Sequence, residues 1–252
     1  MVSAMWGGEW EVRRFAEIDS TNSYLRELAR TGAPAGLVAV ADHQTAGRGR
    51  LDRRWEAPAG ASLLLSVLLR PALDPAQLHL GTAAVALAAA QACREVAGVG
   101  PVLKWPNDLL VGEAKLAGVL AEAEFADGAV ASVVVGLGLN VAWPGPPDVS
   151  GTCLNDLTGG AAPVDRDELL AALLGALSPR LTQLESVEGR QAVAAELRQR
   201  CSTLGRRVRL ELPSEAIVGQ ATGIDECGHL VLQTASGPRT VAAGDVVHLR
   251  PA

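Results

Sequence analysis

The chain has 252 residues, 48% apolar and 20% charged, a composition that can bury a sizeable core and excludes a disordered or collagen-like polymer. Twenty-eight acidic against 22 basic residues leave a formal charge of −6, so there is no chain-wide basic surface of the kind that binds nucleic acid. Twenty of the basic residues are Arg and only two, Lys104 and Lys115, are Lys; a lysine that persists against such a bias marks a position where a guanidinium would not serve.

Residues 1–20 carry Glu9, Glu11, Arg13, Arg14, Glu17 and Asp19 with no apolar run, so they do not read as a signal peptide. Ser20, Thr21, Asn22 and Ser23 offer N-cap side chains before Tyr24, Leu25, Leu28 and Ala29, whose spacing predicts a helix ending near Gly32. A short buried strand is expected over 36–41, then a polar loop over 44–60, then a strand over 62–70 closed by Pro71. Asp74-Pro75 looks like an N-cap with Pro at the first helical position, opening an Ala-rich helix to about residue 97 before Gly98. Its most apolar stretch, 81–93, is shorter than the roughly 18 residues of a membrane span, so a soluble, cytoplasmic protein with no membrane partner is expected.

Strands are predicted over 102–104, 109–111, 116–124 and 130–141, the last being the segment that could pair across a dimer. Asp165 and Glu168 resemble a capping box for a helix to about residue 177, and a second helix is expected over 188–200. After Leu204-Gly205 the chain becomes a series of short β-rich segments separated by Gly, Pro and Ser turns, which suggests a small five-stranded barrel and a domain boundary near residue 205. The four cysteines, Cys93, Cys153, Cys201 and Cys227, form no CxxC pair, and no histidine is read as their partner, so neither a structural zinc site nor a disulfide framework is expected.

Three segments carry candidate chemistry. The loop from Gln44 to Trp55 places Arg48, Arg50, Arg53 and Arg54 within seven residues, interleaved with Gly47 and Gly49. Glycine lets backbone approach a ligand, and Arg forks suit phosphate or carboxylate. The acidic balance and the lack of interleaved aromatics argue against RNA. The second segment is Lys104-Trp105-Pro106-Asn107-Asp108, followed by Lys115 and Gly118, so both lysines flank one predicted hairpin. The third is the strand end Gly136-Leu137-Gly138-Leu139-Asn140. A dinucleotide-binding reading fails there, because the third glycine is missing and Pro144, Pro146 and Pro147 stand where a helix should begin.

Together these segments make the chain resemble the biotin protein ligases. The family's Gly-Arg-Gly-Arg loop corresponds to Gly47 through Arg50, with Gln44 before it and Trp55 at its end. Its Lys-Trp-Pro-Asn-Asp segment corresponds to Lys104 through Asp108, with Lys115 and Gly118 downstream; its Ser-Thr-Asn corresponds to Ser20, Thr21 and Asn22, and its Gly-x-Gly-x-Asn to Gly136, Gly138 and Asn140. One departure is Asp52, where the family usually has Gly. The resemblance implies an α+β fold. A mixed-sheet catalytic domain with flanking helices, of the class II synthetase-like biotin ligase type, would span 1–204, and an SH3-like β-barrel would span 205–252. Only about 15 residues precede the catalytic region, too few for the helix-turn-helix of repressor members, so a monofunctional ligase acting without nucleic acid, as a monomer or homodimer, is implied.

The activity implied is joining of biotin to ATP, giving biotinyl-5'-AMP and pyrophosphate, followed by transfer of biotin to a lysine of a carboxylase biotin carrier domain. Ser20, Thr21, Asn22 and Gln44 would bind the ureido ring, with Gly47, Gly49 and Gly118 completing the biotin site. Arg48, Arg50 and Lys115 would bring the biotin carboxylate and the α-phosphate together, and Trp55 and Asn140 would contact the nucleotide. Asp108 would orient or deprotonate the incoming lysine, Arg250 would reach the nucleotide, and the Arg-rich loop would close over the intermediate. Mg²⁺ would accompany ATP, with no protein ligand indicated. The alternatives are a lipoate or octanoyl ligase and a non-catalytic biotin-sensing protein.

Overall fold

The computed structural model describes residues 9–159, 162–212 and 214–249, which leaves the expected role of Arg250 outside the described residues. A seven-stranded mixed sheet forms the centre, in the order β1 (Glu11–Ile18), β2 (Leu37–Gln44), β3 (Ser62–Leu69), β7 (Ala129–Asn140), β6 (Ala114–Ala126), β5 (Asp108–Val111), β4 (Val102–Lys104). Only β1 and β2 run parallel; the other neighbours are antiparallel. β7 is interior, hydrogen-bonded to β3 on one side and β6 on the other, so the expected role of 130–141 as an open strand for a dimer is corrected: it has no free edge. β1, which the sequence pattern did not suggest, is an edge strand with mostly exposed or half-exposed residues and hence no clean alternation.

The period of two along a strand sorts β3 and β7 onto two faces. Leu63, Leu65, Val67, Val133, Val135, Leu137 and Leu139 face a large core built with α2 (Leu78–Ala97), α4 (Arg166–Leu184) and α5 (Val187–Arg200). The intervening positions of β7 are Val134, Gly136, Gly138 and Asn140, and those of β3 are Ser62, Leu64, Ser66 and Leu68. On that second face α1 (Thr21–Arg30) covers only one end, packing Leu25 and Ala29 against Ala39, Leu68 and Val134. Beyond it β7 presents only Gly136 and Gly138 before Asn140, which leaves a trough beside the helix N-terminus.

The expected caps are present. Ser20 caps α1 by accepting the Ser23 N–H, and Asp165 caps α4 by accepting from Asp167 and Glu168. Asp74 and Pro75 open a 3-10 turn that leads into α2, which ends at Gly98 in the left-handed region, φ 66°. α4 continues seven residues beyond the expected end, through Pro179. A four-residue helix α3 (Leu154–Leu157) follows the loop after β7.

The β-rich tail forms a five-stranded antiparallel sheet in the order β11 (Gly237–Val241), β10 (Leu230–Thr234), β9 (Ala216–Ile224), β8 (Arg207–Glu211), β12 (Asp245–His248). Its buried residues Val208, Leu210, Leu230, Leu232 and Val246 belong to the same core cluster as α2 and the central sheet. No helix among the described residues is long and apolar enough to cross a membrane.

Candidate active site

A cavity of about 730 Å³ fills the trough, lined at one end by Ser20, Thr21, Asn22, Gln44 and Gly136 and at the other by Lys115, Asp108, Asn140 and Asp245. The Arg-rich loop forms its wall: Arg48, Gly49, Arg50, Arg53 and Trp55 all line it. Most residues singled out from sequence therefore converge on one space, although they come from 20–140 in the chain; Gly47 does not line it and instead packs against the Trp55 backbone.

At the first end, polar side chains form a closed network. Gln44 Oε1 accepts from the Thr21 N–H at 2.8 Å and from Thr21 Oγ1 at 3.0 Å. Thr21 Oγ1 lies 2.7 Å from Ser66 Oγ, and Ser66 donates to Asn22 Oδ1 at 2.5 Å. Asn22 Nδ2 donates to Glu122 Oε2 at 2.9 Å and to the Leu120 carbonyl at 3.3 Å. Ser20, Thr21, Asn22 and Ser66 are all buried, and burial of so many polar groups is tolerable because each is paired. Ser66 and Glu122 were not expected from sequence; the one signal was a lone serine inside an otherwise apolar strand.

The glycines of β7 serve close approach. A Cβ on Gly136 would lie 2.2 Å from Asn22 Oδ1, and one on Gly138 would lie 2.3 Å from Trp55 Cε2. Trp55 thus lies flat on the sheet, with the Lys115 ammonium 5.6 Å from its ring centroid, within cation–π range. Its buried Nε1 has no hydrogen-bond acceptor among the described residues.

The candidate cations are matched at both ends. Arg48 Nη2 reaches Glu122 Oε2 of the first-end network at 2.8 Å, and at the second end Lys115 Nζ is 2.6 Å from Asp108 Oδ1. Arg50 donates to Asn107 Oδ1 at 3.0 Å and to the Gly244 carbonyl at 3.0 Å. Burial lowers the Arg50 pKa, with Asp245 and Asp108 acting in the opposite sense. Arg53 pairs with Asp245, so the loop is fastened to the second sheet at two points. The loop itself is a small hairpin, with the Gly49 N–H donating to the Arg53 carbonyl and the Trp55 N–H to the Gly47 carbonyl. At its tip Leu51 and Asp52 both have positive φ, 55° and 58°.

Asp108 is the counter-ion of Lys115 rather than a free carboxylate. Asn140 Nδ2 donates to the Pro144 and Thr152 carbonyls, each at 3.1 Å, which pins the loop after β7 against the cavity. Lys104 sits at the rim, and Gly118 lies beneath Trp55 and Lys115. Trp105 is buried outside the cavity, with Nε1 donating to the Gly228 carbonyl at 3.0 Å.

The expectation that no histidine partners a cysteine needs correction. Asp225, Cys227 and His229, in the turn between β9 and β10, bring their ligand atoms within 4.8 Å of one another. Asp225 Oδ1 already accepts the Cys227 and His229 N–H groups and Oδ2 lies 3.2 Å from His229 Nδ1, so the cluster also closes a turn. It does not line the cavity.

Residues 15–140 match the profile of the biotin/lipoate A/B protein ligase family, and residues 203–249 match the biotin protein ligase C-terminal domain. The chain is 43% identical over 243 residues to the biotin–[acetyl-CoA-carboxylase] ligase of Mycobacterium tuberculosis, covering 93% of this chain and 88% of that protein. It is 30% identical over 234 residues to the bifunctional ligase/repressor BirA of Bacillus subtilis, covering 91% of this chain and 71% of that protein. Among solved structures, the biotin protein ligase of Aquifex aeolicus in complex with biotin and ATP superposes with a TM-score of 0.77 at 28% identity, covering 96% of this chain and 99% of that one.

Proposed function

The chain belongs to the biotin/lipoate A/B protein ligase family, and from that premise we propose that it activates biotin with ATP and transfers the biotinyl group to a lysine of a carboxylase carrier domain. The observation that carries this reading is the two-ended cavity, with amide and hydroxyl donors and acceptors, backed by Glu122, at one end and Lys115 and the Arg-rich loop at the other. A neutral cyclic urea fits the first end. A carboxylate and a triphosphate fit the second.

In the first half-reaction a carboxylate oxygen of biotin attacks the α-phosphorus, and pyrophosphate leaves. Two anions must approach, so positive charge is needed where they meet. Lys115 supplies a compact charge there, and its pairing with Asp108 fixes Nζ until the substrates compete for it. Arg50, buried and held by Asn107 and Gly244, is a second preorganised cation. Trp55 offers its ring face to the nucleotide base and its unpaired Nε1 to an acceptor, because a buried donor left unsatisfied costs about 1–3 kcal/mol.

Mg²⁺ bound with ATP would neutralise phosphate charge. The cluster of metal-ligand spacing at Asp225 lies outside the cavity, so lining carboxylates such as Asp108 and Asp245 would be the oxygen donors available to such an ion. In the second half-reaction the carrier amine attacks the acyl carbon, AMP leaves, and the amine proton is lost. Asp108 can receive that proton only after Lys115 has turned to the phosphate. The loop, which walls the cavity with Arg48, Gly49 and Arg50, shields the acyl-adenylate from water.

Pyrophosphate exchange into ATP, run with biotin, with lipoate and with neither, tests the proposal. Biotin-dependent exchange is expected. Lipoate-dependent exchange would support the lipoate ligase instead, and no exchange a non-catalytic sensor.

A further inference from the structure

We infer that Glu122 is a positioning residue that sets the orientation of the Asn22 side-chain amide, so that the ligand meets an acceptor, Oδ1, at this point of the cavity. The inference rests on the biotin reading above, in which Asn22 faces the ureido ring.

An Asn side chain has two N–H donors and an oxygen with two lone pairs. Both hydrogens on Asn22 Nδ2 are taken, one by Glu122 Oε2 at 2.9 Å and one by the Leu120 carbonyl at 3.3 Å. Oδ1 takes one hydrogen from Ser66 at 2.5 Å, which leaves one lone pair for a ligand N–H. Gln44 has the opposite polarity, since its Oε1 accepts the Thr21 N–H and its Nε2 remains to donate. An acceptor and a donor lining one cavity complement the N–H and C=O of a cyclic urea.

Glu122 decides that polarity. Turning the Asn22 amide over would set Oδ1 against a carboxylate and a carbonyl. Ser66 cannot prevent the turn by itself, because a hydroxyl rotates to donate or accept. The Leu120 carbonyl is distant at 3.3 Å and weak alone. A carboxylate is acceptor-only, and Glu122 is anchored by Arg26 Nη1 at 2.8 Å and Arg48 Nη2 at 2.8 Å. Glu122 stands beside the cavity and not in its lining, yet a negative group next to a space that gathers two anionic substrates still opposes their binding electrostatically. Fixing the amide gives it a purpose, and the two arginines offset its charge.

Steady-state kinetics of biotin-dependent pyrophosphate exchange test this, with Glu122→Ala, Glu122→Gln and Glu122→Asp beside the wild-type chain and a thermal melt on each. Glu122→Ala is expected to raise the biotin KM about tenfold or more, with kcat and the ATP KM within about threefold of wild type. Glu122→Gln keeps an acceptor for Nδ2 and is expected to recover most of the biotin KM. Glu122→Asp keeps the charge but withdraws the oxygens, so its biotin KM should also rise, and it serves where the alanine variant does not fold. A wild-type biotin KM in the folded Ala and Asp variants overturns the inference. So does a Gln variant as impaired as Ala, or biotin and ATP KM values that rise in step. Absence of exchange in the wild-type chain would instead overturn the functional reading, which separates the two failures.

Discussion

Lys115 shows how much one side chain's shape decides. Its ammonium is placed by three close neighbours: Asp108 at 2.6 Å, the Trp55 ring at 5.6 Å, and Gly118, where a Cβ would come within 3.2 Å of Nζ. That space suits a point charge and not a planar fork with five fixed donors. Lys115→Arg keeps the charge, yet it is expected to lose at least tenfold in the rate of biotinyl-adenylate formation, about 1.4 kcal/mol of transition-state stabilisation. Single-turnover measurement of pyrophosphate release checks it, and near-wild-type turnover would show that charge alone suffices. The rarity of lysine pointed to this residue before any geometry was known. Lys104, the other lysine, only borders the cavity rim, so rarity alone did not assign a role. The partners were mostly not legible. Glu122, Ser66 and Asp245 are ordinary strand residues, and only the packing of the loop and α1 against the two sheets brings them to Arg48, Asn22 and Arg53.

Elements were legible where the physics is local. Caps marked α1, α2 and α4, and bounded apolar runs marked β3 and β7, because an N-cap side chain and a short run of apolar residues ended by a proline or glycine act within a few residues. β1 escaped notice because its order comes from pairing with β2 and not from a buried face. The end of α4 was misplaced because packing of Leu181 and Leu184 into the core carries the helix past Pro179. The Arg-rich loop is the element whose conformation sequence could least foretell. Its tip holds two consecutive residues in the left-handed region, where a non-glycine residue costs roughly 1–2 kcal/mol. This accounts for the glycine usual at position 52 in the family: φ there is 58°. Asp52→Gly relieves that strain but frees the unfolded chain, a change worth about 0.5–1 kcal/mol in the other direction. The net effect on stability is therefore expected to lie within about 1 kcal/mol, with biotin-dependent exchange undiminished. Denaturant melts and the exchange assay check both halves, and a collapse of exchange would assign the Asp52 carboxylate a role its geometry does not suggest.

At the scale of the molecule, the two sheets are not independent bodies. One apolar core runs from the central sheet through α2 into β8, β10 and β12. Polar contacts bridge the same seam: Trp105 Nε1 to the Gly228 carbonyl, Arg198 Nε to the Ile224 carbonyl, and Arg53 to Asp245. His79, at the start of α2, lies in this seam, with its ring 5.7 Å from that of Trp105 and its Cδ2 within 2.8 Å of where a Cβ on Gly228 would stand. Burial there pushes its pKa from 6.5 down to about 4, with His229 and Arg50 nearby acting in the same direction. The folded imidazole therefore stays neutral while the unfolded one takes a proton below pH about 6.5. The unfolded state binds more protons between those values, so stability is complete above pH about 6.5 and falls as the pH drops towards 4. The loss from His79 amounts to at most about 3 kcal/mol over that window. His248, half-buried and also pushed down to about 4 by burial with Arg206 and Lys104, contributes a smaller share in the same direction. Urea unfolding between pH 4 and 7 should accordingly show stability rising with pH, and His79→Gln should flatten that slope without abolishing it. An unchanged slope in the variant would mean that the seam opens to water around His79, and that the two sheets are less tightly joined than their shared core implies.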